Sequence, residues 1–376
     1  MYKKRQWKDV LTIIGGKNQK AVETVDGKYP IYGSGGIIGH ASSFLCPAKT
    51  VIVGRKGTID RPIYVEEPFW NIDTAFGVVA GEELLPKYLY FFCLSYNFKS
   101  LDKSTGRPSV SKSDLLKIEM PLPSLKEQTD TVTRIEELFS ELDKGVETLQ
   151  TIKQQLAVYR QAVLKEAFDN GAQNVTLSSV CDFITKGTTP PKGSMTSSVG
   201  EIPFIKVYNL TFNSELDFTI EPTFVTREVH ENFLKRSITL PGDVLMNIVG
   251  PPLGKVSIVP KIYSEWNINQ AIARFRCLDK IYNKYLAYFL CFSETVKKMT
   301  KKTKATAGQQ NLTLEICRNI LIPLPNINAQ HRIVGKIESR LSVCDSIEQT
   351  VDTALAQAEA MRQSILKKAF EGGFSE

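Results

Sequence analysis

The sequence predicts an α+β protein: two mixed α/β domains joined by two long helices that form an antiparallel coiled coil, with an internal pseudo-twofold. Three observations predict it. The segment YRQAVLKEAFDNG (Tyr159 to Gly171) recurs as MRQSILKKAFEGG (Met361 to Gly373). Ahead of each copy, apolar residues step by three or four over some forty positions. Ahead of each such stretch lies a longer one of short β-rich runs broken by Gly and Pro.

The repeat sets the boundaries: residues 1–120, 121–171, 172–325 and 326–376. Aligning the two endings fixes an offset of 202 residues, and that offset runs back without a gap. IEMPLPSLKEQ (Ile118 to Gln128) falls on ILIPLPNINAQ (Ile320 to Gln330), and Gly106 on Gly308, with about twenty identities in all. Gap-free register over this length points to helix, because loops drift in length.

The first domain, 1–120, reads as mixed: TVIVG is a strand, and a short helix lies around Leu85 to Ser95. In residues 121–171, Pro121 and Pro123 block helix upstream. Ser124 and Glu127 form a capping box, and Gly171 suits a C-terminal cap. Ile135, Leu138, Leu142, Val146, Leu149, Ile152, Leu156, Tyr159 and Val163 make the apolar stripe. The second domain, 172–325, contains DVLMNIV as strand and a helix around Tyr282 to Phe292. It also holds a loop-rich insertion, TKGTTPPKGSMTSSVG. FWNIDTAF and EWNINQAI mark the two domains as distant copies. In 326–376 the stripe runs Ile333, Ile337, Leu341, Cys344, Ile347, Val351, Leu355, Ala358, Met361, Ile365. It is looser, and lacks the Ser-x-x-Glu cap.

Charge alternates with this organisation. Residues 1–120 carry 17 basic against 12 acidic groups, +5; 121–171 carry −3; 172–325 carry +6; 326–376 carry −1. Positive potential on the two long stretches fits a polyanion binder. Seven widely spaced cysteines without a CxxC, and three histidines, argue for a reducing cytoplasm rather than disulfides or a zinc site. No run of eighteen apolar residues suggests a membrane span, and the basic start MYKKRQWKDV leads into no apolar stretch of a signal peptide.

PLPSLKEQ and PLPNINAQ ahead of the helices, the endings RQAVLKEAFDNG and RQSILKKAFEGG, and YPIYGSGGIIG and VGRKGTIDRP resemble the specificity subunit of type I restriction-modification systems. The resemblance spans essentially the whole chain. It implies two target-recognition domains, each reading half of a split DNA sequence, and a coiled coil that sets their separation. It implies two methyltransferase subunits as partners, which a motor-endonuclease subunit can join, and no chemistry in the chain itself.

The residues agree on chemistry. TTPPKG and VGPPLG carry the prolines of an adenine methyltransferase loop without its flanking residues. YGSGGIIGH has Ile38 where GxGxxG needs its third glycine, and GPPLGKVS is one residue short of a phosphate loop, with Val256 in the magnesium position. No cofactor or metal is expected.

DNA contacts are expected from loops rich in bidentate donors, amides and backbone N–H groups. In the first domain these are Tyr32, Ser34, Gly35, Arg55, Lys56, Thr58, Lys103, Arg107 and Ser109. In the second they are Lys186, Lys192, Lys206, Asn209, Lys301, Lys302, Lys304, Gln309 and Asn311. The amides suit adenine, and the lysine run suits phosphates. Trp70 and Trp266 read as core. The repeated helix ends, Arg160, Gln161, Lys165 and Phe168 with Arg362, Gln363, Lys367 and Phe370, are expected to seat the domains and present the same partner surface twice. Because the loops of the two domains differ, the target is expected to be asymmetric and bipartite. The competing reading is a coiled-coil adaptor joining two protein-binding domains, for which the charge alternation would be coincidence.

Overall fold

A computed structural model describes residues 2–191, 193–302 and 310–371. The chain divides into two compact units, residues 1–151 with 351–376, and residues 152–350. Each unit holds one mixed domain and a stretch of both long helices, Leu125–Phe168 and Ile327–Glu371.

In the first unit, strands Leu11–Gly15, Ala75–Ala80, Thr50–Gly54 and Ile63–Val65 form an antiparallel sheet in that order. TVIVG is buried along its whole length, as a strand packed on both faces must be. Helix Pro86–Ser95 begins with proline in its first turn, where a missing N–H costs nothing. It drives Tyr88, Leu89, Phe91 and Phe92 into the core with Trp7, Val51, Phe76 and Val78. A second sheet pairs Gly36–Ala41 with Tyr29–Gly33, and Tyr29–Gly33 in parallel with Trp70–Asn71. Strand Lys4–Gln6 pairs antiparallel with Glu119–Pro121, so both ends of the domain meet before the helix.

The second unit repeats this plan. Cys181–Lys186, Ile272–Cys277, Val244–Asn247 and Val256–Ile258 form the antiparallel sheet. Ile202–Ile205 runs parallel to Trp266–Ile268. Helix Asn283–Cys291 covers the core, and Asn174–Thr176 pairs with Leu321–Pro323. Trp70 and Trp266 are buried as core.

One buried amide ties each long helix to its domain. Gln128 is fully buried: its Oε1 accepts the Leu85 N–H at 2.8 Å, and its Nε2 donates to Glu83 O at 2.8 Å and Pro123 O at 2.9 Å. Gln330 accepts the Tyr282 N–H at 2.8 Å and donates to Lys280 O and Pro325 O, both at 2.9 Å. The Ser124–Glu127 box forms, with the Ser124 N–H on the Glu127 carboxylate at 2.9 Å. The second helix has a cap after all: Asn326 Oδ1 accepts the Ala329 N–H at 2.9 Å, since Asn caps as well as Ser.

Within each unit the two helix segments run antiparallel. In the first, Phe370 packs edge-on to Tyr88 and Phe92 at 5.1 and 5.5 Å, and Arg362, eight residues earlier, pairs with Asp143. In the second, Phe168 packs on Tyr285 and Phe289 at 5.2 and 5.3 Å; Glu166 meets Arg340 and Arg160 meets Asp345, both at 2.6 Å. Each helix therefore starts in one unit and ends in the other. The stripes face the seam with three exceptions. Tyr159, Ile347 and Met361 stay exposed, and the Tyr159 ring is covered by the Arg340 guanidinium at 5.2 Å.

Candidate nucleic-acid interface

Three loops of the first unit meet through hydrogen bonds to one another and to Thr74, although up to seventy-six residues separate them in sequence. Ser34 Oγ donates to Lys56 O at 2.8 Å, and the Ser34 N–H reaches Thr74 Oγ1 at 3.4 Å. Thr74 O accepts the N–H groups of Arg55 at 2.8 Å and Lys56 at 3.2 Å. The Gly57 N–H donates to Pro108 O at 2.8 Å, and the Val110 N–H to Arg55 O at 2.9 Å. Lys56 and Ser109 form a bridge.

Two glycines make this turn possible. A Cβ on Gly54 would collide with the Thr58 carbonyl, and Gly57 has φ +86° with the Arg107 guanidinium lying over it. Asp102 holds the third loop: its Oδ1 accepts the Ser104 hydroxyl at 2.7 Å and the Ser104 and Ser109 N–H groups at 3.0 and 3.1 Å. Those bonds, the Ser104 hydroxyl foremost, hold its carboxyl below the usual range.

The expected contacts of this domain sort into two groups. Arg55, Lys56, Arg107 and Gly35 are exposed on the assembled loops, and Thr58 and Ser109 are half-exposed beside them. Lys103 is exposed and pairs with Asp114 at 3.3 Å. Tyr32 is half-buried with its ring edge-on to Phe69 at 5.3 Å, and burial with Glu67 nearby raises its phenol pKa. Ser34 is a correction. It is 7% exposed and its hydroxyl is spent on Lys56 O, so it pins the loops rather than meeting a base.

The second unit builds the same end of its sheets from different residues. The Gly187 N–H bonds Ile272 O at 3.0 Å, Asn269 N–H bonds Ile205 O at 3.1 Å, and Ile248 N–H bonds Ala271 O at 2.8 Å. Val249–Gly250 pairs with Gln310–Asn311, as Lys56 pairs with Ser109 in the first unit. Exposed Lys186 and Asn311 and half-exposed Lys206 therefore gather at this end. The Lys206 ammonium lies 5.7 Å from the Tyr208 ring centre. Lys301 and Lys302 are exposed after helix Ser293–Thr300. Lys192, Lys304 and Gln309 lie outside the described residues.

Asn209 is the second correction. It is 1% exposed, with its Nδ2 on Asp217 O at 3.1 Å and Ile220 O at 2.7 Å and its Oδ1 on the Lys206 N–H at 2.9 Å. Both of its amide hydrogens and its amide oxygen are used in holding the loop over 206–220. Sequence reasoning missed Asn247, which is fully buried and accepts the Lys255 N–H at 2.9 Å while donating to Pro252 O at 2.8 Å. It shapes the Gly/Pro turn after its strand. A polar residue inside the apolar run DVLMNIV was the available signal.

Residues 1–157 and again 170–357 match the type I restriction modification DNA specificity domain. The chain belongs to this family. It is 26% identical over 353 residues to the type I restriction enzyme EcoBI specificity subunit of Escherichia coli, covering 86% of this chain and 73% of that one. It is 24% identical to a putative type I restriction enzyme specificity subunit of Haemophilus influenzae, over 94% and 92% of the two chains. A chain solved in a study of complex assembly and conformational transition of the type I R-M system shares the fold, with TM-score 0.76 at 19% identity over 99% and 98%. The HsdS subunit from Thermoanaerobacter tengcongensis does so with TM-score 0.53 at 19% identity, over 99% and 97%.

The helix ends on which partner contacts are expected fall just after each matched segment. Most of those side chains are engaged within the chain. Arg160 reaches Glu348 at 2.9 Å as well as Asp345, and Gln161 accepts the Ser293 N–H at 2.8 Å. Phe168 and Phe370 seat the domains, and Arg362 lies 4.8 Å over the Phe139 ring. Lys165, Gln363 and Lys367 are exposed.

Proposed function

We infer that this chain is the DNA-recognition subunit of a type I restriction-modification complex, each specificity domain reading one half of an asymmetric, split site. Family membership supports the DNA-reading role, and one observation carries the rest: a shared scaffold presents two unlike sets of loop residues. Arg55, Lys56 and Arg107 stand at one end of the first domain, where Lys186, Lys206 and Asn311 stand in the second. Guanidinium forks suit guanine edges and an amide suits adenine, so like domains read unlike half-sites.

The chain recognises; methyl transfer belongs to two methyltransferase subunits, and a motor-endonuclease subunit joins where cleavage is needed. The exposed Lys165, Gln363 and Lys367 are the helix-end positions we assign to those partners. The coiled coil sets the spacer between half-sites, and the complex works on DNA in the cytoplasm. No described helix is long and apolar enough to cross a membrane.

Methylome sequencing of cells expressing the chain with its methyltransferase partner tests the reading. A new adenine-methylated motif, split and asymmetric, is expected. An unchanged methylome rejects it.

A further inference from the structure

We propose that the hairpin tip of the first domain carries an apolar base contact, with Ile37 and Ile38 seated on the 5-methyl group of a thymine in the first half-site. The proposal rests on the DNA-reading role inferred above. Ile37 and Ile38 are 58% and 52% exposed. They follow the turn that joins Tyr29–Gly33 to Gly36–Ala41. The pairing register shifts there: Tyr32 faces Ile37 and Ile31 faces Gly39, which leaves Ile38 with no residue opposite. An extra residue of this kind re-aims side chains at a sheet edge.

The tip is also held in place. Ser34 ties it to Lys56 O and Thr74 Oγ1, so the isoleucines project beside the loops that bear the exposed Arg55, Lys56 and Arg107. An aliphatic pair on a tip tied to a cation-bearing loop suits one kind of surface. The guanidinium groups suit guanine edges and the ammonium a phosphate, and the apolar group that a duplex offers beside them in its major groove is the thymine methyl. Among the described residues the second domain shows no such tip: Thr223–Val225, the strand antiparallel to Ile202–Ile205, is buried throughout. The contact therefore belongs to one half-site only.

Replacing each thymine of the methylated motif by deoxyuridine removes that methyl and nothing else. Binding of the substituted duplexes to the chain assembled with its methyltransferase is then compared. One position in the first half-site should bind about three- to fivefold more weakly, the worth of one buried methyl. Ile37→Ala or Ile38→Ala should abolish this penalty, so that thymine and uracil bind alike. A first half-site without thymine, a flat scan in the wild-type complex, a penalty confined to the second half-site, or a penalty that both variants retain would overturn the proposal. The wild-type scan needs no variant to fold. A complex that methylates a split motif yet gives a flat scan rejects the methyl contact alone, whereas a complex with no split motif rejects the DNA-reading role itself.

Discussion

Gln128→Leu keeps the size of a buried side chain and removes its amide. Three hydrogen bonds disappear: those from the Leu85 N–H and to the carbonyls of Glu83 and Pro123. The N–H is the severe loss, because it stands at the start of helix Pro86–Ser95, has a single proton to place, and becomes an orphan donor. A buried unsatisfied group costs about 1–3 kcal/mol, and carbonyls with a second lone pair suffer less. The sum is about 2–4 kcal/mol, reduced slightly by the better transfer of leucine. The chain's tryptophans make this measurable unit by unit. Trp7 and Trp70 lie in the first unit and Trp266 in the second. In a Trp266→Phe background, fluorescence during urea unfolding reports on the first unit. At a slope of roughly 1–3 kcal/mol per molar urea, Gln128→Leu should lower that midpoint by about 1 M or more. An unchanged or raised midpoint would refute the view that this amide is what joins helix to domain, and would reduce the repeated glutamine to a sequence habit.

Other outcomes follow from the loops. Arg55→Ala and Arg107→Ala should each cost about 1–3 kcal/mol against the correct first half-site and relax discrimination there, measured with duplexes permuted in one half at a time; a loss shared equally by both halves contradicts the placement. Lys301→Ala and Lys302→Ala should leave the motif unchanged and each lower the slope of log K against log salt by about one, read from titrations at several salt concentrations. Asp102 has its carboxyl pKa lowered by the hydroxyl and N–H groups it accepts. Its hold on the loop is therefore fully present above the ordinary carboxylate pKa of about 4 and fades as pH falls through the depressed value. Hydrogen exchange should find the Ser104 and Ser109 amides protected at pH 5 in the wild type and unprotected in Asp102→Ala.

The helices and domain plan were legible because duplication and the 3.6-residue period are local properties. So was the lead-in to each helix, though only as a motif. That Gln128 and Gln330 reach back more than forty residues to start another helix depends on tertiary placement. The convergence of residues 34, 56 and 109 was hidden for the same reason. Ser34 and Asn209 were misread because a loop hydroxyl or amide bonds neighbouring backbone as readily as a base edge, and only burial separates the two uses. Asn326 lies outside the Ser-x-x-Glu pattern, yet a lone Asn serves the same N–H.

If each domain reads its half-site independently on a shared scaffold, exchange of one domain changes one half-site only. Residues 1–124 are the segment to replace, since the loop at 102–110 bonds back into the first domain and the central helix begins after Ser124. With a homologous first domain in their place, the methylome should show a motif whose first half-site has changed while the second half-site and spacer length remain. A motif altered in both halves, or one unchanged by the exchange, would contradict the account.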